Sequence, residues 1–146
     1  GVQIARKGWL EADDVLGILA TVPHNDERVI VSIDKDLKQI PSLISRDGKT
    51  VEKVTKKEAD YWFMVQAMAG DSVDGFSGVP KVGVKTAQKI LGDNNVPLLD
   101  LWKKVLSAYD KAGYSEKEAL QQARVAHILT HKDYNRKTGK VKLWRI

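Results

Sequence analysis

The spacing of hydrophobic positions changes along the chain, from a run typical of a strand to the three-and-four spacing of helices. Residues 28–33 (RVIVSI) are β-branched and apolar over the length of a strand, which predicts a buried central strand. Before them, Leu16, Leu19 and Ala20 recur at helical spacing and predict a helix that begins near Leu10. Strand and helix patterns alternate through the first half, so an α/β fold is expected there.

Turn and capping signals divide the rest of the first half. A short extended piece is predicted for Val2–Ala5. Two more extended pieces flank residues 46–48 (Arg-Asp-Gly), where the Asp-Gly dipeptide is a strong hairpin signal. Thr55 and Glu58 have the spacing of a capping box, which predicts a helix that stops at Gly70.

The second half is predicted to be helical. Helices are expected after Gly83, from Pro97, and from a second capping box at Ser115 and Glu118. Their predicted ends are Gly92, Tyr109 and Leu129, in the same order. The tail from His131 is polar and basic, and no structure is predicted for it.

Composition and charge narrow the class of protein. No apolar run among the 146 residues approaches the roughly 18 that a membrane span needs, and no membrane partner is expected. Cysteine is absent, which excludes disulfides and thiolate metal sites and fits a cytoplasmic protein. Residues 1–80 carry 10 Lys or Arg against 13 Asp or Glu, whereas residues 81–146 carry 14 against 6. An acidic half joined to a basic half suits a polyanion-binding surface beside a cation site, although a solvated basic surface explains the charge equally well.

Seven acidic residues fall in three tight groups, each at a joint between predicted elements. The groups are Glu11, Asp13 and Asp14; Asp34 and Asp36; and Asp71 and Asp74. Carboxylates this close repel one another unless cations neutralise them. Oxygen ligands without His or Cys favour Mg²⁺ or Mn²⁺, and two such ions about 4 Å apart can clamp the attacking and leaving oxygens of a phosphodiester.

Each acidic group also has an ordinary explanation. The first suits the opening turn of a helix, where the dipole favours acids. The second closes an apolar strand, and there the two explanations are evenly balanced. The third suits turn and cap positions. Only the three groups together favour metal binding, because one mechanism uses all of them.

Residues 78–87 (GVPKVGVKTA) have the pattern of a helix-hairpin-helix, in which a Gly- and Pro-rich turn leads into a helix. Unpaired backbone N–H groups at a helix start can bind a phosphate, and the helix dipole assists. Such contacts position the protein without reading base sequence. An ordinary turn before a helix is the alternative. The residues expected to contact DNA are Gly78, Val79, Lys81, Gly83, Val84, Lys85 and Thr86.

These motifs together resemble the 5′-nuclease superfamily of flap endonucleases, 5′-nuclease domains of bacterial DNA polymerases and phage 5′–3′ exonucleases. The segments GWLEADDVLGILAT, VIVSIDKDLKQI and GDSVDGFSGVPKVGVKTAQKIL match the family's motifs in order and spacing, over roughly residues 2–92. The sequences of these segments are most similar to phage exonucleases, so the resemblance implies a role in DNA replication in a phage-infected bacterial cell.

The resemblance implies a role for each acidic group. It implies a first metal centre formed by Glu11, Asp13 and Asp14 with Asp34 and Asp36. It assigns Asp71 and Asp74 mainly to a second metal centre. It further implies hydrolysis of DNA at 5′ ends and 5′ flaps. The hairpin is expected to hold the duplex, with a monovalent cation such as K⁺ bound by its backbone carbonyls.

The resemblance also implies an architecture. Residues 1–70 are expected to form the C-terminal part of a PIN-like α/β catalytic core, with a mostly parallel sheet flanked by helices. Residues 71–146 are expected to form a helix-hairpin-helix and a helical DNA-binding region continuous with that core. The family's N-terminal strand, with its own metal-binding Asp, and its arch are not in this chain, so a missing N-terminal part is an expected partner.

The chain departs from the family at two positions, where Gly75 replaces an Asn and Lys81 replaces a Gly that helps form the hairpin. Two other functions remain open. A non-catalytic helix-hairpin-helix module would bind DNA through the turn alone, but it would not need seven clustered acids that repel DNA. A PIN-like ribonuclease would gather acids at the end of a sheet, but it would not be expected to carry the hairpin.

Overall fold

A computed structural model describes residues 10–146 of the chain, which form two compact units. The first unit contains residues 10–56 and 128–143, and the second contains residues 57–127 and 144–146. The extended piece predicted for Val2–Ala5 lies outside the described residues. The functional division at residue 70 stays a prediction. None of the helices within residues 10–146 combines the length and apolar character needed to cross a membrane.

The first unit combines one helix with a small sheet. Its elements in chain order are α1 (Ala12–Thr21), β1 (Val29–Val31), a 3₁₀ helix (Lys35–Gln39), β2 (Ser42–Ser45) and β3 (Glu52–Val54). The α1 helix forms near the predicted position, but Val15 and Ile18 are its buried side chains, whereas Leu16, Leu19 and Ala20 are half-buried.

The sheet has the strand order β1-β2-β3. β1 and β2 are parallel, with Ile30 opposite Ile44, and β2 and β3 are antiparallel. With one pair of each kind, the predicted mostly parallel sheet is not confirmed. The prediction that β1 is a buried central strand is not confirmed, since within residues 10–146 β1 pairs with β2 alone. Val31 at the end of β1 and Ile33 beyond it are 64% and 77% exposed.

The predicted Asp-Gly turn joins β2 to β3. The Asp47 carboxylate accepts hydrogen bonds from the backbone N–H groups of Lys49 (2.8 Å) and Thr50 (2.7 Å). Gly48 has a φ of 76°, in the left-handed region that favours glycine. The bonds from the Thr50 and Lys49 backbone lower the pKa of Asp47 to about 2, because they stabilise its ionised form.

Residues after the last helix complete the first unit. A Cβ atom on Gly17 of α1 would lie 2.1 Å from the Leu129 carbonyl oxygen, so only glycine permits this approach. The Ile128 N–H donates to the Gln39 side chain at 3.0 Å, and the His131 N–H donates to Thr21 Oγ1 at 2.9 Å. The segment therefore bonds to both α1 and the end of the 3₁₀ helix.

Four helices form most of the second unit. They are α2 (Lys56–Ala69), α3 (Val84–Leu91), α4 (Leu98–Lys111) and α5 (Glu116–Ala126). Gly70 and Gly92 follow α2 and α3 with φ values near 70°, as helix stops require. The capping box of α5 is present, with reciprocal bonds between Ser115 and Glu118. α5 ends at Ala126, before the predicted Leu129.

The core of the second unit is rich in aromatic and large aliphatic side chains. Leu91, Leu101 and Tyr109 are fully buried, and the Tyr109 hydroxyl donates to the Ala67 carbonyl of α2. Burial raises the pKa of Tyr109, which keeps this donor protonated. Trp144 packs edge-on against Trp102 with the ring centroids 5.0 Å apart. These contacts hold α2, α4 and the chain end in one core.

Candidate metal centre and phosphate-binding turn

The first acidic group is a compact cluster at the start of α1. Glu11, Asp13 and Asp14 each place one carboxylate oxygen within 4.8 Å of the other two. Glu11 is the N-cap residue of the helix and has an extended backbone, but its side chain makes no capping hydrogen bond, whereas Asp13 and Asp14 lie in the first turn. The helix start offsets some of their mutual repulsion, because its dipole favours negative charge. In residues 10–146 this is the one such group, and it contains only oxygen ligands.

Asp14 is oriented by a backbone group far away in sequence. Its Oδ1 accepts a hydrogen bond from the Leu129 N–H at 3.0 Å. Within the described part of the chain, its Oδ2 makes no hydrogen bond. A metal ligand held through its second atom in this way needs less reorganisation when an ion binds. Sequence reasoning did not find Leu129, because no local pattern marks a partner 115 residues away.

The second acidic group follows β1. Asp34 precedes the 3₁₀ helix, and its Oδ1 accepts the Asp36 N–H at 2.9 Å. Asp34 is exposed and Asp36 half-buried. The pair does not join the 4.8 Å cluster of the first group. Asp34 therefore has a capping role, while its Oδ2 makes no hydrogen bond to any residue from 10 to 146.

The third acidic group lies in the second unit, in the loop after α2. Asp71 Oδ1 accepts the N–H groups of Val73 (2.8 Å) and Asp74 (3.3 Å). The Asp71 and Phe76 backbones exchange two hydrogen bonds of 2.9 and 3.1 Å, which close the loop. Asp71 is half-buried and Asp74 exposed. The turn role considered as an alternative is therefore present, and it occupies one oxygen of Asp71.

The three groups share one construction. Asp14, Asp34 and Asp71 each use Oδ1 to accept a backbone N–H. None of their Oδ2 atoms has a hydrogen-bond partner within residues 10–146, so a hard cation could bind there without breaking the turn. The structure brings together Glu11, Asp13 and Asp14, and convergence of all seven acids at one site stays a prediction.

The Gly-rich loop before α3 is held by close backbone packing. A Cβ on Gly78 would lie 2.4 Å from the Met68 carbonyl oxygen, and Gly78 has a φ of +64°. The Gly78 N–H donates to Gln122 of α5, and the Val79 N–H donates to Met68. These two predicted DNA contacts therefore use their N–H groups within the unit, where they shape the turn.

The start of α3 is open to solvent. A Cβ on Gly83 would meet no atom within 4 Å, and Gly83 offers no side chain to cap the helix. The N–H groups of Val84, Lys85 and Thr86 are the ones that a helix leaves without intrahelical partners. The Lys85 and Thr86 side chains are exposed beside them. These N–H groups can donate hydrogen bonds to a phosphate oxygen.

Lys81 has a left-handed backbone, with a φ of +63°. It is the position where the family usually carries glycine. The lysine adopts this left-handed backbone at a steric cost, and it adds an exposed charge. The helix-hairpin-helix assignment as a whole stays a prediction.

Comparison with known proteins identifies nucleases as relatives. The chain is 32% identical to the exodeoxyribonuclease of Enterobacteria phage T3, over 95% of this chain and 56% of the relative. It is 31% identical to the exonuclease of Escherichia phage T7, over 96% and 57%. It is 31% identical to the flap endonuclease Xni of Shewanella halifaxensis, over 84% and 51%. No family model and no solved structure matches the chain.

The relatives confirm the resemblance that the three motifs predicted: proteins about 30% identical over most of the chain are named exonuclease and flap endonuclease, which supports the 5′-nuclease superfamily. The mixed α/β structure, with its three-stranded sheet and helices, is compatible with that fold. The chain spans little more than half the length of the relatives that it matches.

Proposed function

We propose that the protein is a metal-dependent 5′–3′ exonuclease or flap endonuclease that hydrolyses DNA phosphodiesters. The observation that supports this most strongly is the Glu11, Asp13 and Asp14 cluster, whose carboxylate oxygens lie within 4.8 Å of one another. The names of the relatives describe the same reaction class. The substrate is DNA with 5′ ends or flaps.

The donor set fits Mg²⁺ or Mn²⁺, because it consists of carboxylates without His or Cys. The first ion would be held by Glu11, Asp13, Asp14, Asp34 and Asp36. The second would be held mainly by Asp71 and Asp74. When bound, the ions supply charge stabilisation and activation of the attacking water.

The chain's own residues orient these ligands. The Leu129 N–H orients the Asp14 carboxylate. The carboxylates of Asp34 and Asp71 are each oriented by the N–H group of the residue two positions later. The start of α3, with Lys85 and Thr86, binds the phosphate backbone of the duplex and positions it without reading bases. A monovalent cation such as K⁺ at the carbonyls of this turn completes the proposed site.

Isosteric variants test the metal ligands without disturbing the turns. Asp14→Asn, Asp34→Asn and Asp71→Asn each keep an Oδ1 that accepts the same N–H but lose the charge that binds the ion. Mg²⁺-dependent cleavage of 5′-flap DNA by the complete protein should fall by about 100-fold or more, since the metal contributes several kcal/mol. DNA affinity measured without divalent ions should persist.

Asp110→Asn is the matched control, because Asp110 is an exposed carboxylate at the end of α4. It should cleave as the parent does. Full activity in all three isosteric variants would refute the metal assignment. Cleavage by the parent in excess chelator would refute metal dependence.

A further inference from the structure

A short hairpin near the chain end carries an unusual concentration of positive charge. Asp133 and Lys142 pair through a 2.7 Å backbone bond, and Asn135 and Lys140 through a 2.9 Å bond. An antiparallel bridge between Tyr134 and Val141 joins the two arms. Together with Lys132, these residues define the basic hairpin, residues 132–142, which lies within the first unit.

The hairpin is internally braced. The Asn135 side chain accepts the N–H groups of Lys137 (2.9 Å) and Thr138 (3.2 Å), and the Gly139 N–H donates to the Asn135 carbonyl. Tyr134 is buried at 8% exposure and anchors the first arm. The Asp133 carboxylate accepts the Thr130 N–H and hydroxyl, which fixes the approach to the hairpin. The backbone is therefore ordered without help from the positively charged side chains.

Five cations surround an open hollow of about 570 Å³ in this hairpin. They are Lys132, Arg136, Lys137, Lys140 and Lys142. All five are exposed, and none forms an ion pair with a carboxylate of residues 10–146. One carboxylate, Asp133, also lines the hollow. Five positive charges beside one carboxylate leave the hollow with an excess of positive charge, which attracts a polyanion.

The chemistry of the hairpin favours a phosphate backbone over a membrane surface or a peptide. Its tip, residues 135–140 (NRKTGK), has no large apolar side chain to insert into lipid or to fill a peptide pocket. It offers instead a guanidinium, ammonium groups and an amide, which are the donors that bind phosphate oxygens.

We propose that the basic hairpin is a second nucleic-acid contact, which binds the sugar-phosphate backbone independently of the α3 start. The identification of the polyanion as DNA rests on the proposed function. Binding here would be independent of base sequence if the exposed cations contact phosphates, because phosphate contacts carry no base information.

Removing the five charges provides a quantitative test. A variant with Lys132, Arg136, Lys137, Lys140 and Lys142 replaced by Gln should fold, since these side chains make no hydrogen bond within the described residues. Each engaged cation contributes about 0.9 to the salt slope of log K on duplex DNA and about 0.7 on single strands. The slope should therefore flatten by about 4.5 on duplex DNA if all five engage.

Two further variants sharpen this test. Lys137→Gln with Lys140→Gln should flatten the duplex slope by about 2. The control replaces Lys49, Lys53, Lys103, Lys111 and Lys117 by Gln, which are all exposed and lie outside the hairpin. Because control and test variants both lose five charges from a net of +5, an effect of overall charge would be equal in the two.

Affinity is measured in chelator over a series of salt concentrations, with duplex and single-stranded oligonucleotides. A hairpin variant that flattens the slope much more than the control supports the proposal, and the duplex and single-strand arms tell which form is bound. Equal flattening, no flattening, or a parent without salt-dependent binding would overturn it. Cleavage is assayed separately, so an inactive parent with hairpin-dependent binding would refute only the proposed function.

Discussion

The acidic groups of the candidate metal centre and the loop before α3 are held in place by different means. In the first unit, exposed or half-buried carboxylates are oriented by backbone N–H groups, as Asp14 is by Leu129 and Asp34 by Asp36. In the second unit, the loop before α3 is held by backbone packed against backbone, where Gly78 touches the end of α2 above a core of large side chains.

The difference follows from what each region is proposed to bind. A cation needs accessible carboxylate oxygens. Each carboxylate can therefore be oriented through only one of its two oxygens, which leaves the other for the ion. A phosphate needs exposed backbone N–H groups, so their position has to come from packing behind the chain. Substitutions that affect each mode of support selectively can test this contrast.

The largest effect is expected from the core behind α3. Leu101→Ala removes a side chain of 1% exposure and should lower the free energy of unfolding by about 2–5 kcal/mol, because a cavity is left. Denaturant titration measures this. Leu99→Ala on the same helix, at 49% exposure, should change it by less than about 0.5 kcal/mol. Similar losses in both variants would contradict the described core.

A smaller effect is expected from the backbone contact itself. Gly78→Ala combines a left-handed backbone with a Cβ 2.4 Å from the Met68 oxygen, so it should cost more than about 2 kcal/mol. Gly75→Ala has the same handedness at φ +80°, but its Cβ meets nothing within 4 Å. Its cost should be about 1–2 kcal/mol. Equal melting temperatures for the two variants would refute support by close packing.

Lys81→Gly should separate stability from binding. Glycine adopts the left-handed backbone without the strain that lysine has there. Because relief of this strain outweighs the entropy cost of a glycine, the free energy of unfolding should rise by about 0.5–1 kcal/mol. Loss of the charge should flatten the salt slope of DNA binding by about 1 if Lys81 contacts a phosphate. Thermal melts and salt titrations measure the two effects. Destabilisation by glycine would show that the turn has another conformation.

The smallest effect concerns pH and the β2–β3 turn. Because the folded state lowers the pKa of Asp47 from 3.8 to about 2, its carboxylate stabilises the fold above pH 3.8, and that contribution is lost as the pH falls toward 2. Melts between pH 5 and pH 2 should therefore show a weaker pH dependence for Asp47→Asn than for the parent. Asp110→Asn should retain the parent's dependence, and an unchanged profile in Asp47→Asn would contradict the bonds.

Sequence predicted best the features that depend on neighbours along the chain. The Asp47 turn, the Ser115–Glu118 capping box and the stop at Gly92 each need only a few adjacent residues. Sequence predicted less well the features that depend on contacts between residues far apart along the chain. The apolar run of β1 predicted a buried strand, but burial depends on which strands lie beside it.

The site shows the same limit. The acids and the family were recognisable from motifs, because their spacing is local. The Leu129 bond to Asp14 and the Gln122 bond to Gly78 join residues far apart in sequence, and no local sequence pattern predicts them. The basic hairpin was missed for a different reason, since its order comes from a single bridge and side-chain turns rather than from a regular strand.

The seam between α1 and residues 128–131 limits how this protein can be engineered. Gly17 admits the Leu129 carbonyl, and the N–H groups of Ile128, Leu129 and His131 are donated to side chains of the first unit. A chain trimmed after α5 would lose these three backbone donors and would uncover Gly17 on the helix that carries Asp13 and Asp14. Fusion partners and truncations should therefore leave residues 128–131 intact, although they lie close to the end of the sequence.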